Sequence, residues 1–196
     1  MEQNRFRSTV KWLGAFSDKI IVHCPNCNSK AQLLRRWAEY RKYNDPYDFQ
    51  CNHCHTEVRE LEKHIYSINR NCPFCAEIMT YKSAPTTKIK KEIEVSCDQC
   101  QKKLCYPPKI EIIKEWISKG KTVELHYWYE TKYKGEWFWA LNEEHLEYLE
   151  QFIASKLRER SLYRSGMMLV DKLPQFIKDK KNRDSLLKTI SKLKEK

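Results

Sequence analysis

Eight of the nine cysteines in this 196-residue chain fall between positions 24 and 100 as four CxxC pairs: Cys24/Cys27, Cys51/Cys54, Cys72/Cys75 and Cys97/Cys100. Two residues between thiols let one tight turn aim both sulfurs at a single ion. Two such turns complete the tetrahedral four-thiolate shell of a structural Zn²⁺. The first two pairs are separated by 23 residues and the last two by 21, room enough for a hairpin between half-sites. The segment is also a repeat: Cys24-Pro25-Asn26-Cys27 returns 48 residues later as Cys72-Pro73-Phe74-Cys75, and Cys51/Cys54 returns 46 residues later as Cys97/Cys100. Pairing in chain order therefore predicts two ions, one held by Cys24, Cys27, Cys51 and Cys54, the other by Cys72, Cys75, Cys97 and Cys100.

A redox CxxC stands singly at a helix start in a βαβ setting, whereas four pairs in repeated spacing without that setting read as metal ligands. Eight thiolates around two ions leave no position for water, so both sites read as structural rather than catalytic. His23, His53 and His55 flank shells that are already complete and read as neighbours of the sites. Cys105, the ninth cysteine, reads as a buried thiol. Around each site the chain alternates strand and knuckle, with Ile20, Ile21 and Val22 entering the first and Ile93 and Val95 entering the fourth. In this it resembles the zinc-ribbon family of transcription factors and polymerase subunits, over about 80 residues by the repeat length. The resemblance implies that the eight cysteines are structural zinc ligands, and it implies no activity.

The expected fold class is α+β: an N-terminal segment (1–18), a first ribbon (19–67), a second ribbon (68–106), and a β-hairpin followed by a basic helical C-terminal module (107–196). Modules this small do not hold together by apolar burial alone, and bound zinc supplies on the order of 10–16 kcal/mol in small zinc-finger peptides. In the N-terminal segment Phe6, Val10, Trp12, Leu13 and Phe16 are too apolar for a free tail and are expected to pack onto a later element. Residues 56–70 form a charged, ordered connector. Ile110, Ile113, Trp116 and Ile117 fit helical spacing after Pro107-Pro108, so a short helix is expected over 109–119, ending at Gly120. Thr122–Tyr129 and Glu136–Leu141 read as strands of a hairpin turning at Lys134-Gly135.

Asn142 reads as the N-cap of a helix running to Arg160, with Glu143 and Glu144 in its first turn and Leu146, Leu149, Phe152, Ile153 and Leu157 on its apolar side. Gly166 breaks the pattern, Leu173-Pro174 opens another helical segment, and Asn182 or Asp184 opens the last, with Leu186, Leu187, Ile190 and Leu193 inward. The run from Tyr129-Glu130 through Trp139-Ala140-Leu141-Asn142-Glu143-Glu144-His145-Leu146 to Lys181-Asn182-Arg183-Asp184 is similar to the C-terminal module of uncharacterised bacterial zinc-ribbon proteins. That resemblance spans about 75 residues by the count of hairpin and helices. It implies a bacterial, cytoplasmic protein and assigns no activity.

Charge separates the remaining function classes. The formal net charge is +11, of which residues 156–196 carry +8 from 13 Lys/Arg against 5 Asp/Glu. A charge concentrated at one end marks an anionic partner, so nucleic acid, DNA or RNA, is the expected partner, met by Arg158, Arg160, Lys180, Lys181, Arg183, Lys188 and Lys192. The alternative is a protein-interaction adaptor of a larger complex, with the ribbons and the aromatic hairpin (Tyr127, Trp128, Tyr129, Tyr133, Trp137, Phe138, Trp139) as docking surfaces and the lysines as solubilising charge. A nuclease is disfavoured: Glu130-Thr131-Lys132 supplies half of a metal-dependent nuclease motif, and the acidic other half is missing. No long apolar run signals a membrane span, no apolar leader stands at positions 1–19, and cysteines in ligand spacing fit a reducing compartment, the cytoplasm.

Overall fold

In a computed structural model, residues 5–6, 12–36, 46–158 and 169–196 are described. They divide into two compact units, one formed by Met1–Val58 together with Glu124–Lys196, the other by Arg59–Val123. The expected boundary at Pro107-Pro108 falls inside the second unit, and the first cysteine module shares its unit with the C-terminal helices.

The first unit opens with β1 (Arg5–Phe6), a 3₁₀ turn over Leu13–Phe16, and the antiparallel strands β2 (Lys19–His23), β3 (Lys30–Arg35) and β4 (Tyr47–Gln50), in the order β2-β3-β4. In β2 and β3 the apolar positions Ile21, Val22, Ala31 and Leu33 are buried. Trp128 N–H donates to Ile21 O at 2.9 Å, Ile21 N–H to Leu141 O at 2.7 Å and His23 N–H to His126 O at 2.9 Å. The first module is thereby stitched along β2 to the C-terminal part of the chain.

In the second unit, β5 (Arg59–Asn71) and β6 (Ile78–Lys82) form one hairpin, β7 (Ile93–Ser96) and β8 (Lys103–Tyr106) another, and β9 (Lys109–Ser118) and β10 (Lys121–Val123) a third. The sheet order is β10-β9-β5-β6, with β7-β8 a separate pair. Tyr66, Ile68, Met79, Ile93 and Val95 make its apolar centre with the cysteines Cys72 and Cys97.

The expectation of a helix over 109–119 is overturned, because this segment is the strand β9, paired antiparallel with β5 from Arg59↔Ile117 to Ser67↔Lys109. The physical reason is the partner. Four isoleucines, β-branched and stiff, suit a pleated surface, and β5 offers a long row of backbone groups that a helix would leave unmet. Opposite charges meet across the pair, Lys63 Nζ to Glu115 Oε2 at 2.7 Å and Lys114 Nζ to Glu60 Oε2 at 3.2 Å. Gly120 ends no helix; with Lys119 (φ 49°) it forms the two-residue turn (φ 76°) between β9 and β10, the left-handed geometry that a type I′ hairpin requires. Cys105, expected to be buried, is exposed on β8, since in that strand Leu104 and Tyr106 take the inward side.

Back in the first unit, β11 (Tyr129–Tyr133) and β12 (Glu136–Ala140) form the aromatic hairpin, turning at Lys134-Gly135 as the sequence predicts, although its first strand begins at Tyr129 and not at Thr122. Tyr129, Tyr133, Phe138 and Ala140 face the core, while Trp137 remains exposed. Helix α1 (Glu143–Ala154) buries Leu146, Leu149, Phe152 and Ile153, each such side chain contributing roughly 1.5–3 kcal/mol. Phe6 packs on this helix, lying edge-on to Tyr148 and Phe152.

Helix α1 ends at Ala154 rather than at Arg160. Ser155 turns to extended backbone (φ −70°, ψ 130°), and the Arg183 guanidinium takes the Ile153 and Ser155 carbonyls at 2.8 and 2.9 Å. Leu157 belongs to β13 (Leu157–Arg158), parallel to β1, and so leaves the helical stripe. After a 3₁₀ turn over Leu169–Lys172 come α2 (Gln175–Lys178), another 3₁₀ turn over Lys180–Asn182, and α3 (Arg183–Lys194), whose Leu186, Ile190 and Leu193 complete the core. The expected helix break at Gly166 lies outside the described residues.

Candidate metal centres

The four knuckles share one backbone geometry. In each, the N–H of the residue after the second cysteine donates to the carbonyl of the first: Asn28 to Cys24 at 2.9 Å, His55 to Cys51 at 3.0 Å, Ala76 to Cys72 at 2.8 Å and Gln101 to Cys97 at 2.9 Å. The same four residues hold left-handed backbone, with φ of 59°, 51°, 62° and 57°. Non-glycine side chains adopt that conformation at a cost of roughly 1–2 kcal/mol each, so four such turns in register mark a common constraint on where the sulfurs point.

The turns converge in pairs, in chain order. Cys24, Cys27, Cys51 and Cys54 bring their Sγ atoms within 4.8 Å of one another, and Cys72, Cys75, Cys97 and Cys100 do the same. Neighbouring sulfurs lie 3.5 Å (Cys24–Cys54), 3.6 Å (Cys27–Cys51), 3.6 Å (Cys72–Cys100) and 3.5 Å (Cys75–Cys97) apart. A disulfide requires about 2.05 Å, and all nine thiols are free. A Zn–S bond of about 2.3 Å places the corners of a sulfur tetrahedron about 3.8 Å apart. The donor set and its spacing fit a tetrahedral thiophilic cation at each cluster.

Backbone N–H groups complete the electrostatics. Asn26 and Cys27 present theirs to Cys24 Sγ, Ser29 to Cys27, Thr56 to Cys54, Phe74 and Cys75 to Cys72, Glu77 to Cys75 and Lys102 to Cys100. Such donors favour the thiolate. The sulfurs nevertheless crowd too closely to ionise together: burial pushes Cys24 up to about 12, while the Ser29 N–H holds Cys27 down at about 5. A divalent cation removes that conflict, which is why metal and deprotonation are coupled in sites of this kind. The flanking His53 and His55 are exposed, and His23 Nδ1 meets Asn28 O at 3.4 Å; none of the three joins a cluster.

The basic residues picked out by the sequence are distributed differently. Lys180, Lys181, Lys188 and Lys192 are exposed on the last 3₁₀ turn and on α3, with Lys181 Nζ 3.9 Å from Asp179. Arg183 instead caps α1, as described above. Arg158 is described only in its backbone, paired in β13, and Arg160 lies outside the described residues. In the first module Arg35 is nearly buried, donating to Tyr47 Oη at 3.0 Å and to Ser17 Oγ, and Arg36 is paired with Asp48. Glu130, of the ExK triplet, accepts from the Tyr127 N–H at 3.2 Å.

His145 lies on the buried side of α1, a position the sequence does not single out. It is buried at 2 % exposure, its ring stacked on Phe16 at 5.0 Å, and burial lowers its pKa to about 4. Its helical neighbours Leu146 and Leu149 were the available signal, but the partner Phe16 is 129 positions away.

Fold and site together define a mixed α and β protein with two four-cysteine clusters arranged as metal centres. Comparison of the chain with protein-family models, with curated proteins and with solved structures finds no match. Among the described residues no helix is long and apolar enough to cross a membrane.

Proposed function

We propose that each cluster holds one structural Zn²⁺, that the two cysteine modules are zinc ribbons, and that the protein binds nucleic acid through the lysines of its C-terminal helices. What carries the metal reading is the set of eight sulfurs in two groups of four, the sulfurs of each group within 4.8 Å of one another and supported by backbone N–H groups. What supports the binding reading is the exposure of Lys180, Lys181, Lys188 and Lys192 at the end of the chain where the +8 is concentrated. Arg183 is left out of this surface because its fork is committed to α1. Phosphate contacts by exposed lysines read charge and not base sequence, so DNA and RNA are both substrates of this surface. Reduced thiolate ligands fit a reducing compartment such as the cytoplasm.

The test combines elemental analysis with binding by fluorescence anisotropy over a salt series. Two zincs per chain are expected. Affinity for a mixed-sequence duplex or single strand should fall steeply with salt, each lost contact reducing the log–log slope by about 0.7–0.9. Charge reversal at Lys181, Lys188 and Lys192 should flatten that slope in a folded protein. An unchanged slope removes these helices from the interface, and absence of binding at low salt favours the adaptor reading. One observation bears on that second reading: Phe74, Ile78, Ile89, Ile110 and Ile112 of the second unit are exposed, apolar side chains open to a protein partner.

A further inference from the structure

The first unit contains a cavity of about 950 Å³ that neither zinc nor phosphate binding uses. Its size lies within the range of small-molecule sites, roughly 300–1,000 Å³. Three indoles, Trp12, Trp137 and Trp139, contribute to its wall, with aliphatic side chains of α1 and of the segment around Pro174 between them. Trp12 is held at the rim by Gly14, where a Cβ would come within 2.6 Å of the indole ring.

Among the described residues, the polar side chains bordering this apolar space are the hydroxyls of Ser17 and Tyr47 and the basic groups of Arg35, His145 and Lys172. No Asp or Glu is among its described lining residues. The Arg35 side chain is only 10 % exposed, and Asp18 Oδ1 pairs with its Nε at 3.6 Å, which fixes the guanidinium. Tyr47 Oη, itself donating to Ser17 O at 2.9 Å, fixes it further.

For His145 the tautomer follows from geometry: Nδ1 accepts the Leu141 N–H at 3.2 Å, which places the ring proton on Nε2. Among the described residues that Nε2 is buried with no hydrogen-bond partner. A buried donor without an acceptor costs roughly 1–3 kcal/mol, and burial keeps the ring neutral at ordinary pH. The acceptor it lacks is one that a ligand oxygen would supply.

We propose that this cavity binds a planar aromatic carboxylate, its ring against the indoles and its carboxylate oxygens on the Arg35 guanidinium and on His145 Nε2–H. The described lining holds the cations Arg35 and Lys172 and no carboxylate, Asp18 pairing with Arg35 from outside it, and this selects an anion; the three indoles in the wall select an aromatic ring. Arg35 and His145 are binding residues in this site.

Calorimetric titration of the full zinc-loaded chain with 2-naphthoate, and separately with neutral 2-naphthylmethanol, tests the assignment. The carboxylate is expected to bind one to one, and the alcohol at least about tenfold more weakly, the loss of one charge-assisted contact. Indole N–H resonances of Trp12, Trp137 and Trp139 should move during the titration while that of Trp116 stays. Arg35→Met should lose about tenfold in naphthoate affinity with alcohol binding unchanged. No binding of naphthoate at about 1 mM, equal affinity for the two probes, or shifts confined to Trp116 overturns the proposal. Because the probe comparison and the resonance shifts are read on the unaltered protein, they decide the matter even if Arg35→Met fails to fold.

Discussion

Replacing Asn142 tests how the first cysteine module is joined to the helices that follow it. This buried side chain makes three hydrogen bonds: Oδ1 accepts the His145 N–H at 2.9 Å, and Nδ2 donates to Phe16 O at 2.8 Å and to Lys19 O at 2.7 Å. In Asn142→Ala the lost N-cap costs about 1 kcal/mol, and the two carbonyls stripped of their donor add about 1 kcal/mol each. The expected loss is about 3 kcal/mol, which at a urea slope of about 1–3 kcal/mol per molar lowers the unfolding midpoint by about 1–3 M. Asn142→Asp separates the two roles, because a carboxylate still caps the helix and suits its positive end but sets an anion against two carbonyl oxygens. It should therefore be at least as damaging as the alanine, whereas a residue acting only as a cap would tolerate aspartate. Urea unfolding followed by circular dichroism, with the zinc content checked in each variant, reads the difference. A loss under about 1 kcal/mol for Asn142→Ala, or a fully stable Asn142→Asp, refutes the idea that Asn142 is the joint.

Three further outcomes follow from the geometry. Ala76→Gly should stabilise the second unit by about 0.5–1 kcal/mol, since φ of 62° costs alanine more than the added chain entropy costs glycine; a lower unfolding midpoint contradicts it. Cys51→Ser should leave one zinc per chain and reduce amide protection across Met1–Val58 and Glu124–Lys196, with Arg59–Val123 unaffected; uniform loss of protection would mean that the whole chain unfolds as one. Glu143 accepts from Lys30 Nζ at 2.7 Å and from Tyr129 Oη at 2.8 Å, and although burial works the other way, these bonds hold its pKa at about 2. A carboxylate depressed in the fold contributes fully above its unfolded value of about 4.3 and loses that contribution as pH falls towards about 2. The stability gap between the wild type and Glu143→Gln should accordingly shrink over that window, and a gap independent of pH would exclude the linkage.

The four-cysteine clusters were legible in the sequence because their chemistry is local. Two residues between cysteines, followed by one left-handed residue, define a knuckle within five positions, and the repeat offsets were enough to pair the knuckles. The same holds for Lys134-Gly135 and for Asn142 as a cap, where backbone geometry and the nearest three or four residues set the outcome. Tertiary structure decided the rest. Ile110, Ile113 and Ile117 satisfy a helical period and Ile110 and Ile112 a strand period, and only the distant partner β5 selects between them. The helix from Asn142 carries its apolar pattern to Leu157, yet it stops at Ala154, where Ser155 turns and Arg183 claims the terminal carbonyls from 28 to 30 residues away. That bond also turns a residue that reads as a phosphate contact into a helix cap. Charge, spacing and turn chemistry are properties of neighbouring residues; whether an arginine faces solvent, or a histidine is buried against Phe16, depends on which surfaces the folded chain brings together, and no local pattern encodes it.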